Sequence, residues 1–297
     1  MEKMKKIFLM IVICCMFILS GCGGPPQKGS GGAQNNWDSD GALKILTIGN
    51  SFSDDAMEYV WNIANDAGVE GIYLGNLFIG SCTLDIHASN ARTNAAAYDF
   101  RVNESGVWRT TPRARLGDVI SSFDWDFISL QQASGDSGIA ESYRELPYLI
   151  EFIKEQAISE PVIAWNMTWA YQQNSTHGEF WKYDKSQSKM YDMILSCVQA
   201  NVKSREEIGK IIPCGTAIQN ARTSLLGDTL TRDGFHLSYG AGRYIAGLTL
   251  FHFLTGISLD GLTYKPSTVT EEEMQIALES AKNAVSVPYA VTPSQYV

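Results

Sequence analysis

The chain has 297 residues, of which 45% are hydrophobic, and its 23 basic and 32 acidic residues give a formal net charge of −9. A chain of this length and composition can bury one sizeable core, so a single folded domain is expected. The net negative charge, with no basic cluster beyond the first six residues, argues against a nucleic-acid partner held through its phosphates.

The first 22 residues have the pattern of an export signal. Three lysines precede an apolar run over residues 7–19, which is short for a transmembrane helix but typical of a secretory signal. The run ends in Leu-Ser-Gly-Cys, which resembles a bacterial lipoprotein signal, in which the cysteine, here Cys22, carries the lipid. A plain signal with a chance cysteine is the alternative.

Residues 23–41 are rich in Gly, Pro, Ser, Gln and Asn, so they predict a flexible tether to a domain over residues 42–297. Together with the lipoprotein-like signal, this pattern predicts a lipid-anchored protein of the bacterial cell envelope, on its periplasmic or its cell-surface face.

The first predicted strand of the domain ends at a serine. Apolar and β-branched residues over 43–48 indicate a short buried strand, and Gly49-Asn50 ends it before a helical pattern from Phe52 to Ala67. Ser51 at this junction would lie at the carboxyl edge of a sheet, with its N–H among the unpaired donors of a helix start. That position suits a nucleophile, although Gly-Asn-Ser is also ordinary turn and N-cap sequence.

Strands and helices alternate through the rest of the domain. Further strands are predicted over residues 71–78, 123–131, 160–167 and 210–213. Helices are predicted over residues 141–157, 182–202, 239–254 and 270–285. Residues 85–118 are polar without clear periodicity and predict a long insertion with a small hairpin near residues 98–109, and residues 215–230 predict a loop. This order indicates an α/β fold, a three-layer α/β/α sandwich around a central, mostly parallel five-stranded sheet.

A second motif lies near the C-terminus, where Asp233 precedes His236 by three residues in a loop that contains Gly234. In such a loop the carboxylate can hold one ring nitrogen of the histidine and leave the other free as a base. Ser51, Asp233 and His236 would then form a catalytic triad. Among the other histidines, His87 and His252 are predicted to be structural, whereas His177 lies in a loop polar enough to contact substrate.

The blocks Gly49-Asn50-Ser51 and Asp233-Gly234-Phe235-His236 together resemble the SGNH (GDSL-like) hydrolase superfamily. In that superfamily a Gly-Asp-Ser block follows the first strand and an Asp-x-x-His block lies near the C-terminus. Together with Leu-Gln-Gln-Ala-Ser at residues 130–134, the sequences of these motifs are similar to those of one uncharacterised bacterial branch of the superfamily. The resemblance spans residues 43–255. It implies a flavodoxin-like sandwich and a serine hydrolase that needs no metal or organic cofactor.

The resemblance also implies which groups would form the oxyanion hole, beginning with the Ser51 N–H. Gly80 follows the second strand, where the superfamily has a glycine whose N–H binds the oxyanion; a simple tight turn is the alternative. The usual Gly-x-Asn-Asp after the third strand is replaced here by two glutamines. A glutamine amide offers the same N–H donor on a side chain one carbon longer than that of asparagine. Gln131 is therefore the expected oxyanion donor, and Gln132 is the alternative donor. Surface loop roles for both are the alternative.

Residues that follow the later strands are expected to line a substrate pocket, because open α/β sheets bind ligands beyond the carboxyl ends of their strands. The predicted substrate-binding residues are Gln132, Trp169, Tyr171, Asn220 and Arg222. For Trp169 a packing role is equally compatible with the sequence.

The sequence does not indicate a metal or a nucleotide cofactor. Cys82, Cys197 and Cys214 have no metal-ligand spacing, and no glycine-rich phosphate-binding motif is present. These cysteines can form at most one disulfide, and three buried free thiols are the alternative.

Exported, tethered SGNH relatives commonly remove acetyl groups from polysaccharides. The resemblance therefore implies a carbohydrate O-acetyl esterase acting on an acetylated polysaccharide or another small ester. A lipid or small-ester hydrolase is a variant of the same class. A glycan-binding lipoprotein without catalytic activity is an alternative of a different class. The replacement of Gly-x-Asn-Asp by two glutamines after the third strand favours it. The complete set of Ser51, Asp233 and His236 favours the enzyme.

Overall fold

The computed structural model describes residues 41–297. The predicted signal, Cys22 and all but the last residue of the predicted tether lie outside the described residues. The described residues belong to one compact unit. No helix between residues 41 and 297 combines the length and apolarity needed to cross a membrane.

A seven-stranded mixed sheet lies at the centre of the domain, in the order β4-β3-β2-β1-β5-β6-β7. Five of its strands are parallel: β1 (Leu43–Gly49), β2 (Ile72–Phe78), β5 (Phe127–Leu130), β6 (Val162–Asn166) and β7 (Lys210–Ile212). Two antiparallel strands extend the β2 edge: β3 (Ala96–Asn103) and β4 (Trp108–Arg115).

The mixed sheet corrects the predicted five-stranded, mostly parallel one. A hairpin was expected near residues 98–109, but as part of an insertion rather than of the central sheet. The outer strand β4 is almost entirely exposed, so its sequence lacks the apolar alternation by which a half-buried strand is recognised.

Helices flank the sheet, which confirms the predicted α/β class. The α-helices of residues 41–297 are α1 (Ser51–Met57), α2 (Val60–Asp66), α3 (Leu84–Thr93), α4 (Leu116–Ile120), α5 (Leu146–Gln156), α6 (Gln187–Asn201), α7 (Cys214–Ala221), α8 (Ala241–Thr255) and α9 (Glu271–Ser286). One packed group contains α1, α2, α7, α8 and α9, and another contains α3, α4 and α5.

Three helical segments differ from the sequence prediction. The helix expected over residues 52–67 is interrupted between α1 and α2, where Tyr59 leaves the helical region at φ −105° and ψ 2°. Helix α3 begins one residue before the predicted insertion and occupies its first part, and α7 likewise begins one residue before the loop predicted over residues 215–230. Helix α9 begins at a reciprocal capping box, which Thr270 and Glu273 form.

The strand register brings the ends of the parallel strands to one edge of the sheet. Strand β1 is central and almost wholly buried, which explains its apolar sequence. Gly49 at its end pairs with Phe78 of β2, and Ile48 pairs with Leu130 of β5. The segments that follow these three strands therefore lie side by side.

The three cysteines of the described residues are free and buried, so the alternative of three buried thiols is the one observed. Burial raises the pKa of Cys82 to about 12 and the pKa of Cys197 to about 11. Thiols held in this neutral form are poor nucleophiles.

Candidate functional site

Ser51 is the first residue of α1, directly after the turn that ends β1. Asn50 occupies the N-cap, and its Oδ1 accepts a hydrogen bond from the Phe52 N–H at 3.0 Å. The first N–H groups of a helix have no intrahelical acceptor, so the Ser51 N–H lies where a developing negative charge is favoured. The Ser51 side chain is partly exposed.

The structure brings Ser51, His236 and Asp233 into one hydrogen-bonded chain. Ser51 Oγ lies 2.8 Å from His236 Nε2, and Asp233 Oδ2 lies 2.6 Å from His236 Nδ1. Burial opposes ionisation of Asp233, but hydrogen bonds from the His236 ring and from the N–H groups of His236 and Phe235 lower the pKa of this carboxyl below its usual value. Asp233 is thus held as a carboxylate beside the imidazole.

The loop that carries Asp233 and His236 depends on a left-handed residue between them. Gly234 has φ +93°, and a Cβ there would lie 3.1 Å from the Cα of Ser175. The Gly234 carbonyl accepts from the Gln172 N–H at 2.8 Å, and the Phe235 carbonyl accepts from Trp169 Nε1 at 2.8 Å. The segment after β6 therefore fixes the loop.

A buried carboxylate joins this loop to α1, the helix that begins with Ser51. Asp55 of α1 is fully buried, and its Oδ1 accepts from Arg232 Nη1 at 2.9 Å and from Arg243 Nε at 2.8 Å. Its Oδ2 accepts from the Leu237 N–H at 2.7 Å. Arg232 and Leu237 flank the segment 233–236, so Asp55 anchors both ends of it against α1.

Gln131 does not line the space beside Ser51, which corrects the expectation that its amide is an oxyanion donor. Gln131 is 2% exposed, and its Nε2 donates to Asn50 Oδ1 at 2.9 Å. Its Oε1 accepts from Asn166 Nδ2 at 3.4 Å. Both ends of the side chain therefore have partners behind the turn that precedes Ser51. Asn50 continues the chain of amides by donating to the Cys82 carbonyl at 3.1 Å.

Four of the predicted substrate-binding side chains have partners inside the protein instead. Gln132 accepts from the N–H groups of Leu84 and Ala133 and donates to the Ser142 carbonyl. Asn220 contacts the backbone of Ser280 and Thr292. Arg222 pairs with Asp228 at 2.9 Å and has only 4% of its side chain exposed. Trp169 is fully buried and stacks on Phe52 at 4.2 Å between ring centroids, in agreement with the packing alternative.

Tyr171, the fifth predicted residue, lies behind the wall of the site rather than in it. Its ring is fully buried, and its hydroxyl is 2.8 Å from Ser134 Oγ. It packs against His177 and Phe235, with ring centroids 4.7 and 5.8 Å away. Tyr171 therefore supports side chains that do face the site.

Gly80 lies in the turn after β2, at the same edge of the sheet as Ser51. The Ile79 N–H donates to the Gly49 carbonyl at 3.2 Å, which extends the pairing with β1 by one residue beyond the end of β2. Gly80 and Ser51 are each two residues past the paired Phe78 and Gly49. A Cβ at Gly80 would meet no atom within 4 Å, so the space in front of this turn is open.

A cavity of about 430 Å³ lies in front of Ser51 and His236. Its other lining residues are Asn50, Ser81, Thr83, Ala133, Ser134, Gly135, Asp136, His177, Glu179 and Phe235. Sequence reasoning missed Ser134, although it belongs to the Leu-Gln-Gln-Ala-Ser segment after β5, and it missed Asp136, which follows that segment by two residues. Glu179 carried no recognisable signal, because it lies in a segment without motif or periodicity.

The remaining histidines do not compete with His236 for Ser51. Burial lowers the pKa of His87 to about 3, and its Nδ1 lies 2.9 Å from the Tyr98 hydroxyl. His252 Nδ1 lies 2.7 Å from the Ile257 carbonyl. His177 lines the cavity, and burial lowers its pKa below the usual value. Within residues 41–297 no group of His, Cys, Asp and Glu side chains is arranged to hold a metal ion.

We expect Asp55→Asn to lower the free energy of unfolding by about 3 kcal/mol, because it leaves two arginines facing an uncharged partner at a buried position. Denaturant unfolding measures this change. The control is Asp85→Asn, since Asp85 pairs with Arg144 at the surface, where ion pairs contribute little. Equal effects of the two substitutions would contradict the anchoring role of Asp55.

Comparisons with known proteins identify a family. The family model described as Domain of unknown function (DUF4886) matches residues 44–284. The crystal structure of a DUF4886 family protein from Bacteroides uniformis is 41% identical with a TM-score of 0.81, over 84% of this chain and 97% of that chain.

Solved structures of lower similarity include a putative SGNH hydrolase from Slackia heliotrinireducens, which is 17% identical with a TM-score of 0.46, over 72% of this chain and 99% of that chain. Another is a catalytic mutant of the acetylxylan esterase Axe2 from Geobacillus stearothermophilus, which is 14% identical with a TM-score of 0.48, over 78% of this chain and 99% of that chain. A comparison with curated proteins found no match. The family match and the 41% identity show that the chain belongs to the DUF4886 family.

Proposed function

We propose that the protein is a serine ester hydrolase that removes O-acetyl groups from carbohydrates. The observation that carries the proposal is the continuous chain from Ser51 Oγ through the His236 ring to Asp233, with contacts of 2.8 and 2.6 Å at the edge of a cavity. Nucleophile, base and orienting carboxylate in this geometry are the parts that acyl transfer requires.

In the proposed reaction, His236 Nε2 takes the proton of Ser51 as Oγ attacks the ester carbonyl carbon. Asp233 keeps the other ring proton on Nδ1 and stabilises the imidazolium that forms. The imidazolium then gives its proton to the departing sugar hydroxyl, which leaves an acyl-enzyme. Water activated by His236 hydrolyses that intermediate and releases acetate.

The oxyanion of the tetrahedral intermediate would be bound by backbone donors. The N–H of Ser51 at the start of α1 and the N–H of Gly80 in the adjoining turn are the proposed pair. Asn50 supports this arrangement because it caps α1 through Oδ1 and holds the Cys82 carbonyl of the same turn through Nδ2. Gln131 takes the positioning role of holding Asn50 in place.

The cavity favours a small acyl group on a polar alcohol. Besides Ser51 and His236, its lining includes hydroxyl and charged side chains such as Thr83, Ser134 and Asp136, together with the apolar Ala133 and Phe235. A long hydrocarbon chain placed there would desolvate these groups without replacing their hydrogen bonds. Sugar hydroxyls can replace them, which supports a carbohydrate ester over a lipid.

The envelope location remains part of the proposal. The lipoprotein-like sequence ending at Cys22 and the tether over residues 23–41 would hold the domain at a membrane surface, where extracytoplasmic polysaccharide is accessible. The enzyme is preferred over a glycan-binding protein without catalysis, because binding alone gives no reason for a serine to contact a histidine that is itself held by a carboxylate.

Acetate release from an acetylated oligosaccharide, and hydrolysis of p-nitrophenyl acetate, should fall at least about 10³-fold in Ser51→Ala. Asp233→Asn should lower kcat by about 10⁴-fold, because the imidazole loses the acceptor that fixes its tautomer. Ser89→Ala, on the exposed side of α3, is the control and should keep full activity. A folded Ser51→Ala protein with unchanged turnover would contradict the proposal.

The lining of the cavity also predicts a dependence on acyl length. We expect kcat/KM for p-nitrophenyl esters to decrease from acetate through butyrate to octanoate, because the longer chains must desolvate polar side chains. Steady-state kinetics on the three esters measure the trend. A higher value for octanoate than for acetate would favour the lipid ester variant instead.

A further inference from the structure

A second cavity lies next to the one that contains Ser51. Its volume is about 400 Å³, and it is lined by Ser175, Thr176, His177, Gly178, Trp181 and Lys185. His177 lines both cavities, so the two spaces meet at this residue. The His177 ring is held from behind by Phe235 and Tyr171, at centroid distances of 4.5 and 4.7 Å. The boundary between the cavities is therefore a fixed part of the site.

Trp181 presents a large aromatic side chain to solvent in this second cavity. It is 66% exposed, whereas Trp125, Trp165 and Trp169 are fully buried. Among the described residues, no aromatic ring stacks on it and no cation lies over it. An indole in this position offers a flat apolar face that the described residues leave uncovered.

The backbone that carries Trp181 is held firmly, at a conformational cost. A short 3₁₀ helix, Phe180–Tyr183, buries both of its end residues. Asp184 and Lys185 then adopt the left-handed region at φ 53° and 54°, which is unfavourable for residues other than glycine. Their N–H groups donate to the carbonyls of Trp181 and Phe180, at 3.0 and 3.1 Å. The surrounding structure thus maintains a strained turn that orients an exposed tryptophan.

Lys185 adds a hydrogen-bond donor to the same cavity. The neighbouring lysines are engaged, since Lys182 pairs with Asp136 and Glu179 and Lys189 pairs with Asp184. The Lys185 ammonium forms no ion pair with any of the described residues. A flat apolar face beside hydroxyls and a free ammonium matches a sugar ring, which has apolar C–H faces and a rim of hydroxyl groups.

We propose that the cavity at Trp181 is a second sugar-binding subsite, which binds a neighbouring residue of the glycan whose acetylated residue lies at Ser51. This inference rests on the proposed esterase function and deepens it. The substrate would then be an acetylated oligosaccharide or polysaccharide rather than an acetylated monosaccharide. Trp181 stacks on the sugar ring, and Lys185 donates hydrogen bonds to its oxygens.

The test compares acetylated xylotetraose with acetylated xylose and p-nitrophenyl acetate. Trp181→Ala should raise KM for the tetrasaccharide about tenfold and leave kcat unchanged. A loss of about tenfold in affinity is typical of truncating one aromatic contact residue. The KM values for acetylated xylose and p-nitrophenyl acetate should not change. Trp181→Tyr should restore most of the affinity, because it keeps an aromatic face.

Ile158→Ala is the matched control, because Ile158 is also 66% exposed but precedes β6 at the opposite edge of the sheet. An unchanged tetrasaccharide KM in Trp181→Ala, or equal KM values for tetrasaccharide and monosaccharide in the unaltered protein, would overturn the subsite. Calorimetric titration of Ser51→Ala with the tetrasaccharide, with and without Trp181→Ala, measures binding without turnover. Failure of the esterase function is thereby distinguished from failure of the subsite.

Discussion

The candidate site depends on holding together two segments that are 185 residues apart in the chain. Asp55 provides the main link, because this one buried carboxylate on α1 accepts from Arg232, Arg243 and the Leu237 N–H. Two guanidinium groups and a backbone donor compensate its desolvation, and they also determine where the loop with His236 lies. The 2.8 Å contact between Ser51 and His236 follows from this anchor.

A second network explains why an asparagine suits the position directly before Ser51. Asn50 accepts from Phe52 and Gln131 and donates to the Cys82 carbonyl. An aspartate could accept the same two hydrogen bonds, but it would place a carboxylate against that carbonyl. Asn50 and Gln131 are therefore coupled, since Gln131 Nε2 donates to Asn50 Oδ1. Gln131, which the sequence suggested as an oxyanion donor, instead supports the turn that precedes Ser51.

The sequence predicted the α/β class and the five parallel strands, because their apolar patterns are local. It also predicted the proximity of Ser51, Asp233 and His236, because these residues lie in two short motifs. The antiparallel hairpin was not assigned to the sheet, since the exposed strand β4 has no apolar pattern. The roles of Asn220 and Arg222 could not be predicted from residue type. An amide can hydrogen-bond to buried backbone and a guanidinium can pair with a carboxylate of the same protein, here Asp228, as readily as either can bind a ligand. Glu179 and Trp181 enter the site region only through tertiary packing.

The central claim is that Ser51 is a nucleophile activated by His236 and Asp233. A fluorophosphonate reagent, followed by peptide mapping with mass spectrometry, tests it most directly. We expect a single adduct on Ser51 that forms much more slowly in His236→Ala, although the fold and the serine are retained. An adduct that forms at the same rate in both proteins, or no adduct at Ser51 in folded protein, would contradict the account.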